Sequence, residues 1–150
     1  MSVYQNMNQF SLTPIKGSNG ANFAPDTIAC QVLSTTTQAY LVAGAAVALS
    51  SATGNTILVD IGSQSAANFG FIYAAQRKDK FYPGDALEVA MGGSILFLES
   101  GGVINRGNEV EFYPTGNTVV AHSTGTSCGI ALDNAAATGA LIRVKVQINL

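Results

Sequence analysis

Charge is scarce in this sequence. Its 150 residues include seven Lys and Arg and nine Asp and Glu, 11% in all, where an ordinary soluble domain carries about 25%. With a net charge of −2 and a pI near 5.1, the chain lacks the basic stripe of a nucleic-acid binder. Its one basic cluster, Arg77-Lys78-Asp79-Lys80, is interrupted by an acid and reads as a solvated loop. There is no Trp, and aromatics make up 8%, too few for a carbohydrate platform of stacked rings. The only histidine is His122, and no His-x-His, Cys-x-x-Cys or Asp-x-Asp-x-Asp run offers a metal a ligand set. Two cysteines, Cys30 and Cys128, make neither a disulfide framework nor a zinc site, and their apolar contexts predict buried free thiols. The apolar stretch Ala39–Leu49 is too short to span a bilayer. The polar start Met-Ser-Val-Tyr-Gln-Asn-Met-Asn shows no secretory signal, so folding in a cytoplasm is expected.

What the chain does have is apolar content, 47%, and 16 glycines among many Ser, Thr and Asn. The first excludes a disordered chain. The second implies a neutral polar surface that packs against other protein without desolvating many ions. Residues 1–27 hold Pro14, Pro25 and Gly17-Ser18-Asn19-Gly20 with no sustained period, and are read as an extended N-terminal arm.

Residues 28–150 are read as a single β domain. Short apolar runs predict strands at Ile28–Leu33, Ala46–Leu49, Thr56–Ile61, Phe69–Ala74 and Ala86–Met91. Five more are predicted at Ser94–Glu99, Glu109–Tyr113, Thr118–His122, Gly129–Leu132 and Ala140–Ile148. Ile142, Val144, Val146 and Ile148 alternate with Arg143, Lys145 and Gln147, the mark of a sheet with one buried face. Many short strands between turn residues point to an all-β sandwich or barrel.

The turns repeat. Gly44, Gly84, Gly107 and Gly139 each precede apolar residues at +3 and +5, and Tyr82-Pro83-Gly84-Asp85 has the composition of a type II turn. Thr53-Gly54-Asn55-Thr56 recurs 62 residues later as Thr115-Gly116-Asn117-Thr118. Gly44, Gly70 and Gly84 recur at Gly107, Gly129 and Gly139, offset by 63, 59 and 55. Four landmarks in one order imply two similar modules, about 28–91 and 94–148, sharing one core because each alone is small.

Catalysis needs converging activated groups, and no catalytic, cofactor-binding or metal site emerges. His122 has Ser123 and Thr124 beside it, but neighbours in sequence do not make a triad, and a surface or strand-edge role is expected. Glu88, Glu109 and Glu111 are read as outward residues on solvated strand faces rather than as a hydrolytic pair. The glycine clusters lack the Gly-Lys-Ser/Thr ending of a phosphate loop.

Several segments are nonetheless familiar. Gly70-Phe71-Ile72-Tyr73 with Phe81-Tyr82-Pro83-Gly84-Asp85-Ala86-Leu87-Glu88-Val89-Ala90 resembles the first half of tailed-bacteriophage capsid cement, or head decoration, proteins. So do Arg106-Gly107-Asn108-Glu109-Val110, Thr115-Gly116-Asn117-Thr118, and Gly129-Ile130-Ala131-Leu132-Asp133 leading into Gly139-Ala140-Leu141-Ile142-Arg143-Val144. The resemblance, over about residues 28–148, implies a jelly-roll-like, non-enzymatic virion protein without cofactors. Such a protein binds the outer capsid surface as a homodimer or homotrimer and stabilises contacts between major capsid protein subunits. The implied partners are the major capsid protein and further copies of the chain, with no nucleic acid and no membrane. Alternative expectations are another phage structural β protein, of tail or fibre, and a small glycan- or polar-ligand-binding module.

Overall fold

The computed structural model describes residues 13–34, 38–53 and 55–148. The first twelve residues of the expected arm and Gly54 of the first Thr-Gly-Asn-Thr tetrad lie outside the described residues.

Runs of β-branched and aromatic residues between glycine turns form strands throughout. In chain order these are β1 (Thr27–Val32), β2 (Leu41–Val42), β3 (Ala46–Thr53), β4 (Thr56–Ile61), β5 (Gly70–Tyr73) and β6 (Lys80–Phe81). They continue with β7 (Ala86–Ala90), β8 (Ile95–Glu99), β9 (Glu109–Tyr113), β10 (Thr118–Ala121), β11 (Ser127–Ala131) and β12 (Leu141–Val146). Each of the ten expected runs carries a strand. The additions are β2 and β6, which pair with each other but are two residues long, too short to show a period. A tight turn at Ala75–Arg77, with Gln76 and Arg77 at positive φ, precedes β6.

The all-β expectation is realised in barrel form. Strands β1-β4-β3-β5-β7 close in that order. Closure comes from β1, which lies antiparallel to β7 and parallel to β4, with Val32 opposite Val59. A second five-stranded sheet runs β10-β9-β11-β12-β8, and a parallel bridge from Ser100 to Val119 ties the end of β8 back to β10. The strand order is thus the same in both units, with β8, β10, β9, β11 and β12 in the places of β1, β4, β3, β5 and β7. Main-chain bonds recur with it. Leu33 N–H donates to Val59 O at 2.9 Å, and Gly101 N–H donates to Val119 O at 2.8 Å. Likewise Gly84 N–H reaches Val32 O at 3.0 Å, and Gly139 N–H reaches Ser100 O at 2.8 Å.

Two kinds of glycine explain much of this repetition. Gly84 has φ +89°, which the third residue of a type II turn requires. Asp85 N–H closes the turn on Tyr82 O at 2.9 Å, and the Asp85 carboxylate accepts Tyr82 N–H at 2.8 Å. That bond leads the causes holding the Asp85 carboxyl below its ordinary value. Gly70 and Gly129 instead admit close approach. A Cβ on Gly70 would strike Val89 and sit 2.6 Å from Ala90 O; one on Gly129 would lie 2.7 Å from both Val144 Cγ1 and Lys145 O.

One buried cluster takes in both units, including Val47, Phe71 and Val89 from the barrel and Val110, Phe112 and Val144 from the second sheet. Phe71 and Phe112 meet edge-on, ring centres 6.2 Å apart. On β12, Ile142, Val144 and Val146 are buried while Leu141, Arg143 and Lys145 are exposed, as the alternation predicts. The alternation fails on β9, where Val110, Glu111 and Phe112 are all buried. Glu111, expected on a solvated face, is 1% exposed. Both faces of β9 are covered, one by the core and the other by loops folded over it. Ahead of β1, residues 17–20 lie along β8: Gly17 N–H donates to Phe97 O at 2.7 Å and Gly20 N–H to Ile95 O at 2.8 Å. Gly17 O accepts Ala74 N–H at 2.9 Å, so this segment bonds to both units.

The close approaches generate a first prediction. Gly70→Ala and Gly129→Ala each overpack a backbone contact and are expected to cost about 1–3 kcal/mol in a denaturant titration. Gly102→Ala is the control, since nothing lies within 4 Å of its added Cβ, and stability should change by less than about 0.5 kcal/mol.

Candidate functional site

The residues with chemistry in the sequence converge at one place, around Glu111. Its strand, β9, turns a carboxylate toward two loops, 62–68 of the barrel and 122–126 after β10. Gly125 N–H donates to Oε2 at 2.6 Å, and Gln64 Nε2 donates to Oε1 at 3.0 Å. Ser123 Oγ donates to Oε1 at 3.3 Å, and His122 Nδ1 lies 3.3 Å from Oε2. Gly125 has no room for a side chain, because a Cβ would meet Gln64 and Glu111. The loops also bond directly: Thr126 N–H reaches Gln64 O at 2.7 Å, and Thr126 Oγ1 reaches Ser65 O at 2.8 Å. Burial by itself pushes the Glu111 carboxyl up, but the bonds from Gln64, Gly125, Ser123 and His122 outweigh it and hold the group below its ordinary range.

This grouping contains an acid, a histidine and a serine, yet it is wired differently from a nucleophilic triad. In a triad the serine bonds the imidazole and the imidazole bonds the acid. Here the Ser123 hydroxyl and the His122 ring both face the same carboxylate. An acid with its acceptor positions filled by four neighbours works as a clamp between loops of the two units. His122 is the exposed strand-end residue that the sequence suggested, and its tie to Glu111 is the part that sequence reading missed. Gln64, from the other half of the chain, carried no signal at all.

The remaining reactive groups are inert by placement. Cys30 and Cys128 are buried and free; burial pushes both thiols up, Cys128 to about 12, away from the reactive thiolate. Asp133 is held at about 2, chiefly by the Arg143 side chain, whose Nη2 and Nε donate to its two oxygens at 2.7 and 2.9 Å. Among the described residues no group of three His, Cys, Asp or Glu side chains could hold a metal ion. No helix among them is long and apolar enough to cross a membrane.

The outer surface offers apolar and aromatic contacts instead. Phe23, Leu49, Tyr82, Val103, Tyr113 and Leu141 are exposed, Val103 most of all at 65%. Tyr82 forms a corner with Tyr40, ring centres 5.6 Å apart, and Lys80 Nζ sits 5.1 Å from the Tyr40 ring centre. Rigid, exposed aromatic rings beside a cation have the makeup of a protein-contact surface.

Comparison with known proteins points the same way. The family model described as phage cement protein matches residues 31–147. No curated protein matches the sequence. Among solved structures, the chain is similar to the N base of the head fiber gp8.5 of bacteriophage phi29. The TM-score is 0.58 at 16% identity, over 83% of this chain and 95% of that one. At that identity the likeness is one of fold.

The Glu111 clamp generates a second prediction. Glu111→Gln keeps the shape but replaces charge-assisted acceptors, and should lower stability at neutral pH by about 2 kcal/mol in a denaturant titration. A carboxyl whose folded-state pKa is lowered stabilises the fold fully above its unfolded value, about 4.3 for Glu. That contribution is lost as pH falls through the lowered folded value. Wild-type stability should therefore decline more steeply than that of Glu111→Gln below about pH 4, and parallel declines would refute the clamp.

Proposed function

The chain belongs to the phage cement protein family, and on that premise we propose that it binds the outer surface of an assembled bacteriophage capsid and stabilises contacts between major capsid protein subunits. The observation that carries this reading is the family match across residues 31–147. The surface supports it. A capsid-reinforcing protein must bury area on several neighbours at once, so that many weak contacts add through avidity. Neutral Ser, Thr, Asn and Gly faces desolvate cheaply and lose little rotamer entropy when fixed. Exposed Tyr82, Tyr113, Val103 and Leu141 add apolar contact area.

In this reading the protein works by binding and without catalysis, as a homodimer or homotrimer on the virion exterior, after synthesis in the host cytoplasm. Residues 28–150 act as one β domain of two repeats, about 28–91 and 94–148, and the N-terminal arm, 1–27, extends the contact area from a base at residues 17–20 that is bonded to both units. The shared strand order of the barrel and the second sheet supports an origin by duplication. A second reading, as the base of a head-attached fibre, draws on the likeness in fold to the phi29 head fiber base.

Co-sedimentation is the direct test. Purified protein mixed with capsids that lack it should pellet at a fixed ratio to major capsid protein and should raise the temperature at which the shells rupture. Failure to pellet would sink the proposal. Electron cryomicroscopy of the decorated shell separates the two readings, since a fibre base would carry a projection away from the shell.

A further inference from the structure

Three non-glycine residues with positive φ occur among the described residues: Gln76 at +53°, Arg77 at +61° and Asn117 at +55°. At Gln76 and Arg77 such a conformation costs free energy of the kind that gathers at binding sites; at Asn117, in the turn between β9 and β10, it is ordinary hairpin geometry for Asn. Arg77 and Asn117 come from opposite halves of the chain, yet both line a single cleft of about 520 Å3. Gln76 is the immediate neighbour. The size suits a few amino-acid residues.

Local structure explains how the cleft is built. Pairing of β2 with β6 sets Lys80 opposite Val42. The turn at 15–18 packs on the turn at 42–45: Ser18 N–H closes the first on Ile15 O at 3.0 Å, and the Lys16 stem lies against Gly44. Ile15 and Val42 give the cleft apolar walls, and the β9–β10 hairpin brings Asn117 to its far side.

Its charge is opposite to that of the molecule. Lys16, Arg77 and Lys80 face a single acid, Asp79, whereas over the whole chain seven cations face nine acids. Lys16 has no ion-pair partner within 4 Å among the described residues, and burial lowers its pKa despite the field of Glu99. Arg77 gives two N–H groups to Thr13 O at 3.2 Å, leaving others of its five for a ligand. The Asn117 side-chain oxygen is buried with no hydrogen-bond partner. A buried acceptor without a donor is costly; the oxygen is shielded where it stands, and a turn of the Asn117 side chain into the cleft lets a ligand N–H relieve it.

We propose that this cleft is a docking site for an acidic polypeptide segment of the capsid subunit, with a carboxylate held by Lys16 and Lys80 and a main-chain N–H donated to Asn117 Oδ1. The partner's identity rests on the function proposed above. A peptide supplies both a carboxylate and an N–H donor, matching cations and an acceptor in one cleft. A phosphate chain has no N–H donor for Asn117.

The test uses the full chain and capsids that lack it. Lys16→Gln/Lys80→Gln should bind at least tenfold more weakly than wild type and show a shallower dependence on salt. Lys145→Gln, an exposed lysine on β12, should stay within twofold. Asn117→Gly suits the positive φ and removes the unpartnered oxygen, so it should lose affinity while its Tm stays at or above wild type. Carbodiimide should join Lys16 or Lys80 to Asp or Glu peptides of the capsid subunit. Undiminished binding by both the double variant and Asn117→Gly would overturn the cleft while leaving the proposed function standing. Failure of wild type itself to bind would overturn the function and, with it, this partner. A short DNA duplex bound by wild type and lost in the double variant, with capsid binding intact, would assign the cleft to nucleic acid and refute the proposal.

Discussion

The edge-on contact of Phe71 with Phe112 marks the constraint on which the rest of the molecule depends. Each five-stranded unit is too small to bury a secure core by itself. The two therefore share one, and the strands at their junction are covered on both sides. Phe71 and Ile72, adjacent on β5, are both fully buried, and β9 buries Glu111 beside Val110 and Phe112. Burying an acid at that junction is tolerable only because Gly125, Gln64, Ser123 and His122 supply donors from both units. The same junction that builds the core thus creates the need for the clamp.

Close packing around glycine is the second recurring device. Gly70 sits against Val89 and Ala90, and Gly129 sits against Val144 and Lys145; the two contacts occupy equivalent places in the two units. Neither depends on a turn. Both depend on two backbones lying nearer than a side chain permits, which keeps the small barrel tight around its few large residues. A chain that satisfies its interior with Gly, Val and Ala and its turns with Gly, Asn and Asp needs few ions anywhere. The low charge is thus compatible with a stable fold and leaves a surface suited to contact with protein.

Against that neutral background the few charges are placed with purpose. Arg143 is held by Asp133, and Lys78 pairs with Asp85 at 3.4 Å. Of the remaining cations, Lys16, Arg77 and Lys80 meet in one cleft between the units. The sequence showed Arg77-Lys78-Asp79-Lys80 as a short solvated loop. Nothing in it brought Lys16 there, nor Asn117 from the second Thr-Gly-Asn-Thr tetrad. The cleft arises because β2 and β6, too short to be seen in the sequence, pair beside the turn at 15–18.

Local chemistry was readable residue by residue. The alternation of Ile142, Val144 and Val146, the Pro-Gly turn at 83–84, the apolar contexts of Cys30 and Cys128 and the aligned glycines are each set by nearest neighbours along the chain. Their structural meaning therefore survives in sequence alone. Partners far apart in the chain were decided by tertiary structure: Gln64 with Glu111, residues 17–20 with β8, Tyr40 with Tyr82, and Lys16 with Asn117. Such pairings rest on main-chain hydrogen bonds and on burial of both faces at the junction. Those forces act between surfaces that exist only once both units have folded together, and for that reason Glu111 read as solvated while the structure buries it.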